Sequence, residues 1–572
     1  MHSANLPVVH KIAHTLNQLV DNSCLIYKEY PVIGMAFEKP LTYAEFHEEI
    51  LLLAAQLREF GVEQGDRVAL LGENSHHWAI AYLAIVRLGA VAVPVLPDLP
   101  EADVHHILTE MECEVVFLTQ RQSEKIYEIR KELATLITLD DSVDETGVLT
   151  VQPFSEVLAG ARTGFLKQLQ ANALEFPDVD RHDLASILYT SGTSGFSKAV
   201  MLSHANLCAN AESVADIIDI PPGSVFLSVL PIAHTYEFTV GFLMPLLKGY
   251  RVVYAGKTPT PAVLQKICAK ERPHGILVVP LIMEKIYKKR VLPAIEKSPM
   301  LTMLCRIPMG RRFVYRQIGK KLGAFFGGRL RVMGIGGAAL NPEVEEFLRL
   351  AGFPFLVGYG MTESAPLISG GPYGDRTIQL GSAGKPVPGV QVRIADQDEK
   401  SGVGEIQVRG ENVMQGYWND PEATDETFTG DGWLKTGDLG FLDEQGNVHV
   451  CGRSKSVIVM ANGENIYPEA IEHKLNTYPM LMESLVLENR GKLEAWVYPD
   501  YDLIDEVTSG SSREQRHRYI TDQLAEIRRE INSQLSPASR LSRIVERREP
   551  FIKTATHKIK RYLYTVDSVA AE

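Results

Sequence analysis

The run Tyr189-Thr190-Ser191-Gly192-Thr193-Ser194-Gly195-Phe196-Ser197-Lys198 leads from an apolar, strand-like segment into a loop of hydroxyls and glycines that ends on a lysine. Glycines let a backbone approach an anion closely, and the hydroxyls of Thr190, Ser191, Thr193 and Ser194 can donate to phosphate oxygens. Lys198 adds a mobile positive charge. The spacing is not that of the Walker loop, since Phe196 and Ser197 separate Gly195 from Lys198 and Ala199 follows. These residues suit a nucleotide polyphosphate held by a loop of another type. A Ser/Thr/Gly-rich connection without a ligand is the plain alternative.

The elements that must position this loop show in the hydrophobic rhythm. Apolar runs at Val68–Leu71, Glu114–Leu118, Ala185–Tyr189, Arg251–Ala255, Gly275–Val279 and Arg331–Gly334 alternate with helix-like segments such as Trp78–Leu88. That pattern predicts an α/β fold whose sheets are covered on both faces. From Val390 the rhythm shortens, with strands expected at Val390–Ile394, Gly404–Arg409 and Gly440–Leu442, so a β-rich subdomain is expected at about 385–454. The character changes again at Gly452-Arg453-Ser454-Lys455, which divides the chain into a large domain, 1–454, and a small α+β domain, 455–572. In the latter, Ile520, Leu524, Ile527, Ile531 and Leu535 form one apolar stripe on a helix that stops before Pro537 and faces a core. The polar run Asp505–Arg516 reads as a surface loop.

At 572 residues and 45% hydrophobic content the chain suits a soluble protein of two or more domains. Its six cysteines are scattered, which fits reduced thiols in a cytoplasmic protein better than disulfides or a zinc site. Met1 to Leu16 lacks the apolar core of a signal peptide, and Arg87, Gly89 and Pro94 interrupt the best candidate for a membrane span. A net charge of −13 argues against nonspecific binding of nucleic acid. The segment 284–331 runs the other way, with 13 Lys/Arg against 2 Glu interleaved with aromatic residues. It suits a peripheral face on anionic lipid at the inner side of a membrane, a face for ligand phosphates, or a solvated helical surface.

The loop resembles the phosphate-binding signature of the adenylate-forming superfamily, which includes acyl-CoA synthetases, luciferases and nonribosomal adenylation domains. Further matches follow in order: Leu230-Pro231-Ile232-Ala233-His234, Gly336-Gly337-Ala338, Gly358-Tyr359-Gly360-Met361-Thr362-Glu363 and Lys435-Thr436-Gly437-Asp438. Gly452-Arg453-Ser454-Lys455, Gly463-Glu464-Asn465-Ile466-Tyr467-Pro468-Glu469 and Lys553-Thr554-Ala555-Thr556-His557-Lys558-Ile559 complete the series. The resemblance implies ATP, Mg²⁺ and CoA as ligands, and a C-terminal domain that swings about Lys455 between two half-reactions. It also implies that Thr190–Lys198 holds the β- and γ-phosphates, Thr362 the α-phosphate, and Glu363 the Mg²⁺ ion. Asp438 would take the ribose hydroxyls and Arg453 the ribose or phosphate, while Gly336, Gly337 and Ala338 would lie along adenine and the acyl carbonyl, and Gly358, Tyr359 and Gly360 would pack against adenine. Lys558 would stabilise the charge that develops as acyl-AMP forms, with Lys553 and Lys560 as competitors. Gly463 would line a pantetheine channel, and His234 a wall of the acyl or AMP pocket. Three positions depart from the family pattern: Ser197 stands for proline, Ala199 for glycine and His557 for glycine.

Leu230–Glu237 and Val278–Tyr287 look like the acyl-site segments of long-chain fatty acyl-CoA synthetases, so a fatty acid and CoA are the expected substrates. Acyl carrier protein as acceptor is the alternative, and a non-catalytic acyl- or nucleotide-binding relative is a further one. The presence of Lys198, Glu363, Asp438, Arg453 and Lys558 speaks against the latter. The sequence leaves a homodimer open.

Overall fold

The protein is described by a computed structural model over residues 13–144, 146–190, 198–256, 259–460, 465–554 and 558–564. Two sheets carry the large N-terminal part. In the first, Arg67–Leu71 lies parallel between Val91–Val95 and Val115–Leu118, and Thr135–Thr138 and Gln152–Pro153 extend it on one side. On the other side come Leu184–Tyr189, Ala199–Ser203 and Gly416–Tyr417. The central strands are buried along nearly their whole length, as expected for parallel strands covered by helices on both faces. One cover is the helix His76–Arg87, started by the Ser75 hydroxyl accepting from the Trp78 amide and buried from Trp78 to Val86. Beside it runs Tyr43–Glu59, whose first turn is closed by a reciprocal Thr42–Glu45 capping box.

The second sheet has the order Phe355–Val357, Val332–Ile335, Gly275–Val278, Val225–Ser228, Arg251–Tyr254, Pro31–Met35, Leu41–Thr42, and all but the last pairing are parallel. The two sheets are tied where their strands end. Asn74, just beyond Arg67–Leu71, donates to the Ser228 hydroxyl (2.9 Å) and the Leu230 carbonyl (2.6 Å) and accepts from the Ile232 amide (2.9 Å). In α/β folds the carboxyl ends of parallel strands are where ligands bind, and here two such ends meet.

The shorter rhythm after Val390 corresponds to an antiparallel sheet of Val390–Ala395, Gly404–Gly410, Leu434–Leu442 and Val448–Arg453. Beyond it, Leu481–Asn489 and Lys492–Pro499 form a hairpin, and Leu541–Glu546 joins parallel to the second strand. The helix Arg513–Ser533 lays Ile520, Leu524, Ile527 and Ile531 onto this sheet as buried core, with Leu535 partly buried beyond the helix end. The reading of Asp505–Arg516 as a loop is corrected: helices Tyr501–Val507 and Arg513–Ser533 take most of it. Composition misled because the helix starts are set by caps. Asp500 accepts from the Leu503 amide, and Ser512 and Gln515 form a capping box, while Ile504 supplies the buried anchor.

Candidate active site

The loop expected to hold phosphates joins two antiparallel neighbours, Leu184–Tyr189 and Ala199–Ser203, and the Thr190 amide donates to the Lys198 carbonyl at 2.9 Å to close its base. Ser191, Gly192, Thr193, Ser194 and Gly195 lie outside the described residues, as does Gly463. Lys198 is described, and its ammonium sits over the Tyr417 ring, 4.4 Å from the centroid. The Tyr417 hydroxyl in turn donates to the Glu363 carboxylate at 3.0 Å. Glu363 is 8% exposed and lies in the short turn Thr362–Ser364. Burial raises its pKa, while the Tyr417 hydroxyl and the charges of Arg453 and Lys198 act to lower it. One tyrosine thus links Lys198, at the end of the loop, to Glu363.

Tyr417 reaches this place because Gly416–Tyr417 pairs with Met201 and Val200 in the strand that follows the loop. Sequence reading missed it. The available signal was Gly416-Tyr417-Trp418, a glycine before two aromatic residues, but its pairing partner lies more than two hundred residues earlier and leaves no local trace.

Asp438 and Arg453 face one another across the Leu434–Leu442/Val448–Arg453 ladder, with Arg453 Nε 2.9 Å from Asp438 Oδ1. The other oxygen of Asp438 accepts from the Tyr359 hydroxyl at 2.7 Å. Gly336 and Gly358 sit together at strand ends, where the Gly358 amide donates to the Ile335 carbonyl (3.0 Å) and the Gly336 amide to Val278 (3.3 Å). Gly337 has φ +86° and, like Ala338, is exposed. Gly360 admits no side chain, since a Cβ would stand 2.0 Å from the Pro366 carbonyl oxygen. Thr362 is half-buried beside Glu363.

Lys558 comes from the far domain. The Thr554 amide donates to the Lys558 carbonyl at 2.8 Å, and Lys553 bridges to Ile559. Lys558 lies within electrostatic reach of Arg453, Asp438, Glu363 and His234. Desolvation by the surrounding cleft lowers its pKa and Arg453 adds to that, whereas Asp438 and Glu363 oppose it. Because Lys558 is exposed, water in the cleft weakens this shift. Lys553 is committed elsewhere, in an ion pair of 2.6 Å with Glu483. Burial holds the His234 pKa down at about 4, with Lys558 adding to the effect, and its Nδ1 accepts from the Tyr236 amide at 3.2 Å. His234 is therefore neutral at pH 7.

A contact between the two parts accompanies this placement. The Lys288 ammonium donates to the backbone carbonyls of Asn476, Tyr478 and Leu481, at the end of the helix Pro468–Leu475. Lys455 is exposed in the turn Ser454–Ser456, which follows the strand Val448–Arg453. Of the basic run 284–331, Lys288 is thus a clamp on the C-terminal part, a role its charge alone did not reveal.

The AMP-binding enzyme family model matches residues 14–418, which contain the loop, Gly336–Ala338, Glu363 and Tyr417. The chain belongs to this family. It is 30% identical over 473 residues to a long-chain-fatty-acid–CoA ligase of Mycobacterium bovis, covering 78% of this chain and 75% of that one. It is 27% identical over 602 residues to a chloroplastic long-chain-fatty-acid–[acyl-carrier-protein] ligase of Arabidopsis thaliana, covering 91% and 80%. Its fold superposes on ATP-bound MatB from Rhodopseudomonas palustris with TM-score 0.73 and 25% identity, over 95% of this chain and 98% of that one. The protein is an adenylate-forming acid–thiol ligase, and ATP is its nucleotide.

Proposed function

We propose that the protein converts a long-chain fatty acid to its acyl-AMP with release of pyrophosphate, and then to acyl-CoA. The observation that carries the acid is an apolar cavity beside Gly336, lined by residues that include Val214, Phe226, Tyr236, Val240, Ile335 and Leu356. Nothing charged lines it, so it offers no partner to an ammonium or a second carboxylate. Each buried CH₂ of a tail contributes about 0.8 kcal/mol in such surroundings. The cavity holds only about 30 Å³, far short of a fatty tail. Tyr236 is part of its wall and lies against the two glycines, since a Cβ on Gly336 would stand 3.1 Å from its ring and one on Gly334 3.0 Å from its hydroxyl. Tyr236 opens the eight-residue π-helix Tyr236–Leu243, a form that concentrates at functional sites. On this reading, acyl entry displaces Tyr236.

In the proposed reaction the acyl carboxylate attacks the α-phosphorus of ATP and pyrophosphate leaves. Asp438 accepts from the ribose hydroxyls, and the glycines at 336, 337, 358 and 360 let backbone lie flat against base and acyl carbonyl. Lys558 offsets the charge gathering on the α-phosphate and carboxylate oxygens as the bond forms. Lys198 and the hydroxyls of its loop hold the leaving pyrophosphate. Glu363, a buried carboxylate with only hard oxygen donors, fits Mg²⁺, which would neutralise phosphate charge when bound. We further propose that 455–572 is the moving unit and Lys455 its hinge, so that Lys558 withdraws before the thiol enters.

Pyrophosphate release measured across acids from acetate to eicosanoate, with and without CoA, tests this. A maximum at long chains with CoA-dependent thioester is expected. A maximum at short or aromatic acids, or turnover only with acyl carrier protein, would overturn the substrate assignment. Acyl carrier protein is the second reading, favoured by the similarity to the carrier-protein ligase over 91% of the chain.

A further inference from the structure

Residues 297–321 hold seven Lys/Arg and no acid, in a chain whose net charge is −13. They form two helices, Pro299–Cys305 and Pro308–Phe325, joined at a tight corner where Gly310 packs so closely on the Leu304 carbonyl that a Cβ would stand 2.3 Å from it. The inner face is core: Val314 and Leu322 are buried, and Leu301, Leu304, Tyr315 and Ile318 pack on the same cluster. The outer face is apolar where solvent should make it polar. Met300, Met303, Ile307, Met309 and Phe313 are all exposed, Met309 by 84% and Met300 by 73%. Arg306, Arg312, Arg316, Lys320 and Lys321 are exposed around them, and among the described residues their side chains have no hydrogen-bond or ion-pair partner. Arg312, Arg316 and Lys320 fall at helical spacing on the same face as Met309 and Phe313.

We propose that this corner is a docking surface for an anionic lipid bilayer. Apolar residues at a rigid tip ringed by unpaired cations are the composition that enters an acidic membrane interface, the tip reaching acyl chains and the cations meeting lipid phosphates. The same composition disfavours a second copy of the chain as occupant. A two-fold contact would set this patch against itself and bring its unpaired cations face to face. The corner also follows the site in the chain: the strand Gly275–Val278, whose Leu277 lines the apolar cavity, leads into Pro280–Ile286 and on through Lys288 toward Pro299. Docking would thus place the acid entrance near the phase in which long-chain acids dissolve. The inference does not depend on which acid is the substrate, because lipid binding is read without turnover.

The test is sedimentation of the full chain with vesicles of phosphatidylcholine alone and of phosphatidylcholine mixed with phosphatidylglycerol. Binding to the mixed vesicles only, weakened by salt, is expected. The triple variant Met303→Ser/Met309→Ser/Phe313→Ser and the pair Arg312→Glu/Arg316→Glu should each lower the vesicle partition coefficient at least tenfold, with turnover of a soluble acid unchanged. Equal binding by wild type and both variants would overturn the proposal. So would a wild type that ignores vesicles but dimerises through this face, seen as a mass that falls to monomer in the triple variant. Retention by an acidic polypeptide with no affinity for the mixed vesicles would overturn it too.

Discussion

The Tyr417 hydroxyl donates to the Glu363 carboxylate at 3.0 Å while the ring of the same residue carries the Lys198 ammonium at 4.4 Å. A donor to a carboxylate favours its ionised form. Tyr417→Phe removes the donor and keeps the ring, so Glu363, already raised by burial, rises further. The acidic limb of the kcat/KM profile for pyrophosphate release is expected to move to higher pH, with about a tenfold loss near neutrality. An acidic limb that stays in place would separate Tyr417 from the ionisation of Glu363.

Lys288 holds three carbonyls of the C-terminal part while Lys558 stands in the cleft. Hydrogen bonds from a charged donor contribute about 1.5–3 kcal/mol. Lys288→Met should lower acyl-AMP formation about tenfold or more. Thioester formation from supplied acyl-AMP should be unaffected or faster, because these hydrogen bonds would oppose the proposed rotation of 455–572. Equal loss in both half-reactions would show that Lys288 only supports folding.

Glu237 is fully enclosed, and burial pushes its pKa up to about 8, with the Ser228 hydroxyl and Leu230 amide nearby acting to lower it. Neither of its oxygens makes a hydrogen bond of good geometry among the described residues. A carboxyl raised in the folded state costs nothing below its unfolded pKa near 4.5 and costs progressively more as pH climbs toward 8. The full cost is on the order of 5 kcal/mol. The Tm advantage of Glu237→Gln over wild type should therefore grow between pH 5 and pH 8. A difference independent of pH in melts across that window would contradict a neutral Glu237.

Asp438 accepts from Tyr359 and pairs with Arg453, and in the proposed reaction it also accepts from the ribose hydroxyls. Asp438→Asn should raise the KM for ATP about tenfold or more while changing kcat less. An unchanged KM for ATP would remove Asp438 from the nucleotide site.

Much of this was legible in the chain because it is local. Buried parallel strands are continuous apolar runs, so Arg67–Leu71 and Gly275–Val278 announced themselves within a residue of their ends. The loop before Lys198 and the turn before Glu363 carry their glycines and hydroxyls in one stretch. What escaped depends on chain segments far apart. Tyr417 is placed by pairing with Val200, and Lys288 by a carbonyl cluster some 190 residues away. The sequence favoured Lys558 by resemblance but could not exclude Lys553 and Lys560, and the ion pair with Glu483 that commits Lys553 elsewhere is invisible to it. The helices inside Asp505–Arg516 were hidden because their starts rest on Asp500 and Ser512, residues equally common in loops.

The central claim is that nucleotide is cleaved between the α- and β-phosphorus, with Lys558 stabilising that transfer alone. Purified protein is mixed with ATP, Mg²⁺ and palmitate, and the nucleotide products are resolved, in parallel with Lys558→Ala. Wild type should yield AMP and pyrophosphate, and the variant almost none while still making thioester from supplied palmitoyl-AMP and CoA. Release of ADP and phosphate, or a variant that forms palmitoyl-AMP at the wild-type rate, would contradict the account.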